Sequence, residues 1–264
     1  MDKSSDSTGI DHVKGAQVVS RVSRVLRVVS RHPDGVSSAA VATATGLTRP
    51  TAHRLLTSLA AEGFVDHDPG RARWFLGPEL YLLGSVAAER YDITDVARES
   101  VRMLARETGE SAFLSARRGD ETVCLLREEG SFPVRSFVLY EGVRFPLGVA
   151  SAGIAILAFS SDAEIDRYLE ETPLAERWGV AHSVSALRAR IAETRETGYA
   201  VNPGLIVEGS WGMGAAVFDE RGRPAWALSL TGIESRFSAG RRPELGRLLL
   251  EQAHEITTSL ARLR

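Results

Sequence analysis

Apolar residues recur along this chain with two spacings, and the changes between them mark its elements. Over residues 18–31 they fall at Val18, Val22, Val25, Leu26 and Val29, one face of a helix, while Arg21, Arg24, Arg27 and Arg31 take the other faces. His32-Pro33-Asp34-Gly35 breaks that helix, and Ser37 is placed to cap a short second one that runs to Thr45 and stops at Gly46. Gly46-Leu47-Thr48 reads as a tight turn. Thr48 then caps a third helix, whose first turn accepts Pro50 because the amide that proline lacks has no partner there; Leu55, Leu56 and Leu59 form its buried stripe. Residues 63–68 and 72–76 read as two short strands around Pro69-Gly70-Arg71. Beyond them the pattern predicts a helical linker over 79–90, a helix over 94–107, and strands over 111–117, 121–128 and 134–140. Helices over 151–159, 162–170 and 184–197 follow, then strands around 214–218 and 225–231 and a closing helix over 243–263. Runs of strands with helices to pack on them indicate an α+β domain.

Two short helices joined by a Gly-containing turn, the second presenting polar residues at its start, have the geometry of a helix-turn-helix, and the hairpin after them is a wing. Arg49, Thr51, His53 and Arg54, with Pro50 among them, face the groove in that reading. Arginine binds guanine bidentately, threonine bonds phosphate or touches a thymine methyl, and a helix N-terminus favours phosphate. Arg71 and Arg73 near the wing tip and Arg21 on the first helix are candidate phosphate contacts. His53 has an alternative, packing against its own module.

Charge sharpens this picture. The chain's formal net charge is −2, yet between His12 and Ala60 stand Lys14, Arg21, Arg24, Arg27, Arg31, Arg49 and Arg54 against the single acid Asp34. A basic patch confined to one module is the footprint of a phosphate-binding surface. At 264 residues and 44% hydrophobic, the chain suffices for two cores. No apolar run approaches the roughly 20 residues that span a bilayer, and residues 1–14 are polar, so a disordered tail, a cytoplasmic location and no membrane partner are expected. Cys124, the only cysteine, excludes an internal disulfide and multi-cysteine metal sites; in Thr-Val-Cys-Leu-Leu it reads as a buried structural thiol.

Enzyme signatures fail. Ser151 lacks the flanking glycines of a nucleophile elbow, His254-Glu255 lacks a second histidine, and the run from Gly209 to Gly214 leads into a strand rather than a phosphate-binding helix. Binding without turnover is the expectation, with no metal and no cofactor. Two rival readings stay open: a winged-helix adaptor for protein partners, and an enzyme carrying a regulatory DNA-binding module.

The run from Gly46 to Leu56, with Thr-x-His-Arg-Leu-Leu at its end, followed by Leu59, Glu62-Gly63-Phe64-Val65 and Trp74-Phe75-Leu76-Gly77, resembles the isocitrate lyase regulator (IclR) family of bacterial transcription regulators. Landmarks at 104–109, Phe145-Pro146-Leu147, 152–158, 196–200, 215–219 and 228–232 follow in that family's order. The resemblance implies a winged helix-turn-helix over 15–78, a linker helix over 79–93 and a GAF- or profilin-like α/β effector-binding domain over 94–264. It also implies a dimer, or dimer of dimers, on a pseudo-palindromic double-stranded operator, controlled by a small molecule as repressor or activator. Carried over motif by motif, its effector pocket falls on Ala150, Ser151, Ala152 and Gly153, on Asn202 and Met213, and on Ser229 and Thr231. Ser151 and the free amides at that helix start suit a carboxylate. Trp211 and Phe145 stand as an apolar wall or as ordinary core. Where many relatives carry a lysine or an acid this chain has Ser151-Ala152-Gly153-Ile154-Ala155 and Asn202-Pro203-Gly204-Leu205, which points to a less polar effector, an aromatic or longer-chain acid.

Overall fold

A computed structural model describes residues 17–88, 93–134 and 136–262; the tail expected over 1–14 and the end of the expected linker lie outside them. The chain divides into two compact units, Met1–Tyr91 and Asp92–Arg264.

In the first unit, α1 (Gln17–Ser30), α2 (Ser38–Thr45) and α3 (Arg49–Ala61) precede a hairpin of β1 (Val65–Asp68) and β2 (Arg73–Leu76), and α4 (Pro78–Ala88) follows. The caps are those the side chains dictate. Ser37 Oγ accepts the Ala40 amide at 3.2 Å, and Thr48 Oγ1 accepts that of Thr51 at 3.4 Å. Gly46 ends α2 at φ 67°, where a side chain would be strained, and its amide donates to carbonyls of α2. Val25, Val29, Val41, Leu56 and Trp74 close the core. Val36 adds a bridge to Trp74 that the alternation pattern did not disclose, with backbone bonds of 3.0 and 2.9 Å. The outer side of α4 is a different matter: Tyr81, Leu82, Leu83 and Val86 stand exposed, at 77% and 68% for Tyr81 and Val86.

The second unit is one antiparallel sheet between two helical layers. It comprises α5 (Ile93–Thr108), β3 (Ser111–Arg118), β4 (Glu121–Glu128), β5 (Arg144–Pro146), α6 (Ser151–Ala158), α7 (Asp162–Glu171), α8 (Leu174–Trp178), α9 (Val184–Thr197), β6 (Ala200–Pro203), β7 (Ser210–Phe218), β8 (Pro224–Ile233) and α10 (Arg242–Arg262). The strand order is β5-β4-β3-β8-β7-β6. Side chains alternate across a strand, so each of these strands serves two cores. Leu114, Met213, Ala215, Leu228 and Leu230 pack with Leu104 of α5 and Leu249 of α10. Phe113, Ala216 and Ala227 pack on the other side with α6, Tyr168 and Leu187. All eight residues of α6 are buried, as suits a helix that is apolar all round.

Of the strand expected over 134–140, residues 134 and 136–140 are not strand, and residue 135 lies outside the described residues. Pairing with β4 falls to β5, with Thr122 opposite Phe145. The segment's backbone is held instead by side chains: Ser136 Oγ accepts the Val138 amide at 3.4 Å and shares a 2.5 Å hydrogen bond with Ser210 Oγ. β6 and α8 lack a clear period and are legible only in the structure. At the start of β3, buried Glu110 accepts from Arg236 Nε and Arg241 Nη1, both at 2.7 Å, which ties β3 to the approach to α10.

Candidate functional site

On the first unit, Arg49, Pro50, His53 and Arg54 are exposed along the N-terminal half of α3. Among the described residues neither Arg49 nor Arg54 has a hydrogen bond or ion pair to give up. Thr51 is half-buried, its hydroxyl 2.8 Å from that of Thr48. His53 meets the Trp74 ring edge-on at 6.0 Å, and His67 stacks on Trp74 at 4.2 Å, so His53 leans toward the wing. At the wing tip, Asp68 Oδ1 accepts the amides of Gly70 and Arg71, shaping a turn on which the Arg71 side chain stands 80% exposed. Arg73 is committed elsewhere, donating to the Gly35 carbonyl at 2.9 Å. Arg21 is half-buried on α1, and Arg24 donates to the Thr45 carbonyl at the end of α2.

On the second unit, a cleft opens where α6 begins over the sheet. It is narrow, with a cavity volume of about 30 Å³. Ala150, Ser151, Ala152, Asn202, Trp211, Ser229 and Thr231 border it. So do Gly212 beside Met213, Ser115, Thr122 and Ser210 on the strands, and Val138, Leu139 and Ile206 on the loops, the last six not singled out by the sequence. Among the described residues the lining carries no ionisable side chain. Ser229 Oγ and Thr231 Oγ1 are buried without a hydrogen-bond partner. Ala150 caps α6 without a side-chain bond, and the first intrahelical amide to be paired is that of Ile154. The amides before it are therefore free for an acceptor in the cleft.

Three expected cleft residues lie elsewhere. Met213 is fully buried on the opposite face of the sheet, because strand parity sends it there. Phe145 is core, edge-on to Trp178 at 5.9 Å. Gly153 faces the Leu147 backbone, where a Cβ would collide with the carbonyl oxygen. Asn202 borders the cleft with its amide already spent, Nδ2 on the Val149 carbonyl at 2.8 Å and Oδ1 on the Leu205 amide at 2.9 Å. Trp211 borders it too, while its ring packs toward α10 beneath the Arg242 guanidinium. Burial pushes the Cys124 thiol up to about 12, consistent with a structural role. Among the described residues no helix is long and apolar enough to cross a membrane.

Residues 18–69 match the profile of the IclR helix-turn-helix domain, and residues 85–258 match that of the bacterial transcriptional regulator IclR C-terminal domain. The chain belongs to the IclR family. It is thus a transcription regulator with a helix-turn-helix followed by an effector-binding domain. The HTH-type transcriptional regulator KipR of Bacillus subtilis is 27% identical to this IclR-family chain over 230 residues, 87% of this chain and 91% of KipR. An IclR regulator structure from Alicyclobacillus acidocaldarius aligns with a TM-score of 0.75 at 27% identity, covering 92% of this chain and 98% of that one. An IclR homolog from Microbacterium hydrocarbonoxydans, complexed with 4-hydroxybenzoate, aligns with a TM-score of 0.74, covering 94% of this chain and all of its own; at 23% identity it shows the shared fold.

Proposed function

We propose that this regulator binds a pseudo-palindromic DNA operator in the cytoplasm as a homodimer or dimer of dimers, and that an aromatic or longer-chain carboxylic acid in the cleft controls its affinity. Residues 15–78 serve as the DNA-binding module, 79–93 as the linker and 94–264 as the sensor. Arg49 and Arg54 read bases from α3, with Pro50 and Thr51 setting its first turn in the groove and His53 beside them. Arg71 contacts phosphate from the wing, and Arg21 and Arg73 add positive charge nearby.

The observation that carries the effector reading is the pairing of the uncapped start of α6 with the two unpartnered hydroxyls of Ser229 and Thr231. Buried polar groups are normally satisfied, so these mark where a ligand's acceptor atoms go. A helix N-terminus adds about 0.3–1 kcal/mol for an anion, and up to ~2 kcal/mol when partly buried. Val138, Leu139 and Ile206 supply the apolar side, and the slot's narrowness favours a flat ring. Among the described residues the cleft's lining holds no nucleophile with an adjacent base, which supports binding without turnover. Exposed α4 supplies the apolar surface by which two copies associate.

Control requires the acid to favour one conformation, and a coupling of about 1–3 kcal/mol changes operator affinity roughly 5–150-fold. The test is fluorescence anisotropy with DNA from upstream of the protein's own gene beside a scrambled duplex, at several salt concentrations and with aromatic acids added. Specific binding that weakens steeply with salt and shifts with an acid is expected. Failure to prefer any duplex, after random-site selection as well, overturns the operator reading.

A further inference from the structure

The cleft presents an electrostatic puzzle: among the described residues its lining is neutral, yet a carboxylate taken from water needs more compensation than a helix terminus and hydroxyls provide. A cation stands behind it. Gly148, Val149 and Ala150 lead into α6, and the far side of this loop is pinned by α7 and α9. Tyr168 Oη accepts the Gly148 amide at 2.8 Å, and Arg190 Nη2 donates to the Gly148 carbonyl at 3.1 Å and to that of Ala181 at 3.5 Å.

Arg190 is unlike its neighbours on α9. Arg188 pairs with Asp166 and Arg195 with Asp162, but among the described residues no carboxylate pairs with Arg190. Its Nε and Nη1 are buried and unpartnered. Burial pushes its pKa down, from so high a starting point that the group stays charged. The adjacent His182 adds no compensating or competing charge near neutral pH. Its Nδ1 sits 2.9 Å from the Trp178 carbonyl, and burial pushes its pKa down. A half-buried guanidinium with two buried, unpartnered nitrogens and no counter-ion is costly, so a role that needs an unneutralised charge there is the natural explanation.

We infer that Arg190 gives the neutral-lined cleft its preference for an anionic effector, acting through the Gly148–Ala150 loop as a positioning and charge-supplying residue that does not touch the ligand. The inference rests on the carboxylic-acid reading of the cleft and adds the origin of its charge selectivity. Three Cα steps of 3.8 Å separate Gly148 from Ser151, so the guanidinium lies on the order of 10 Å behind the first free amides of α6. At that separation one unit charge changes anion affinity roughly 2- to 20-fold for effective dielectric constants between those of water and a protein surface.

Calorimetry on the full-length protein with 4-hydroxybenzoate and its neutral isostere 4-hydroxybenzamide tests this. Arg190→Met is expected to weaken the acid about 2- to 20-fold and leave the amide unchanged, while Arg190→Lys retains most of the preference. Equal weakening of acid and amide would reduce Arg190 to a shaper of the loop and overturn the inference, as would no change in either. Should Arg190→Met fail to fold, Arg190→Gln reads the same ratio. Wild-type protein that binds acid and amide equally overturns the inference alone; wild-type protein that binds neither overturns the aromatic-acid reading beneath it.

Discussion

Arg49 and Arg54 stand exposed on α3 with no partner to lose among the described residues, so their removal separates recognition from stability. Arg49→Ala and Arg54→Ala are each expected to cost about 1–3 kcal/mol of operator binding, with relaxed preference at one base, and to leave the melting temperature unchanged. Anisotropy titrations against operators varied at single positions, beside thermal melts, check both halves. Thr231→Val is the converse case. It removes a buried hydroxyl that bonds to nothing, so stability is expected to hold or rise slightly while acid binding weakens by about 0.5–1.5 kcal/mol, read by chemical denaturation and calorimetry. At this scale the sequence told residue types better than directions. Met213 entered the expected cleft through its motif, although its parity with Gly212 and Gly214 puts it on the other side of the sheet. Asn202 did border the cleft, but no pattern discloses that its amide is engaged by two loops.

Among the elements, those with strong local chemistry were legible. α1, α2 and α3, with caps Ser37, Gly46 and Thr48, fall within a residue or two of where apolar spacing and capping rules place them, because a helix start or stop is decided by the side chains beside it. Residues 134–140 misled for a related reason. Valines and aromatics favour a strand, but here Val138 and Leu139 are drawn over the cleft and β5 takes the edge. The three-residue β5 and the five-residue α8 are too short to show a period. Equally invisible is the Glu110 bridge, whose members lie more than a hundred residues apart. Glu110→Ala leaves two half-exposed arginines without their shared acceptor and is expected to destabilise the second unit by about 2–4 kcal/mol, a little below the range for a fully buried pair. Equilibrium urea unfolding measures it, and an unchanged midpoint would show the bridge to be incidental.

For the molecule as a whole, the association proposed above rests on α4. Tyr81, Leu82, Leu83 and Val86 expose more contiguous apolar side chain than one helix of a free monomer usually shows. Leu82→Glu with Val86→Glu is expected to shift the protein to monomers in sedimentation velocity without unfolding it. Operator affinity is then expected to fall by a factor of at least ten, since each half-site must be found alone. The alternation of β7 and β8 has a consequence for how such a regulator changes over generations. Gly212, Ser229 and Thr231 border the cleft, whereas Met213, Leu228 and Leu230 meet α5 and α10. Two texts are thus interleaved letter by letter in the same strands. Mutation can rewrite the one that lines the cleft while the one that spells the fold is copied unchanged, and a lineage can acquire new chemical vocabulary without passing through unfolded ancestors.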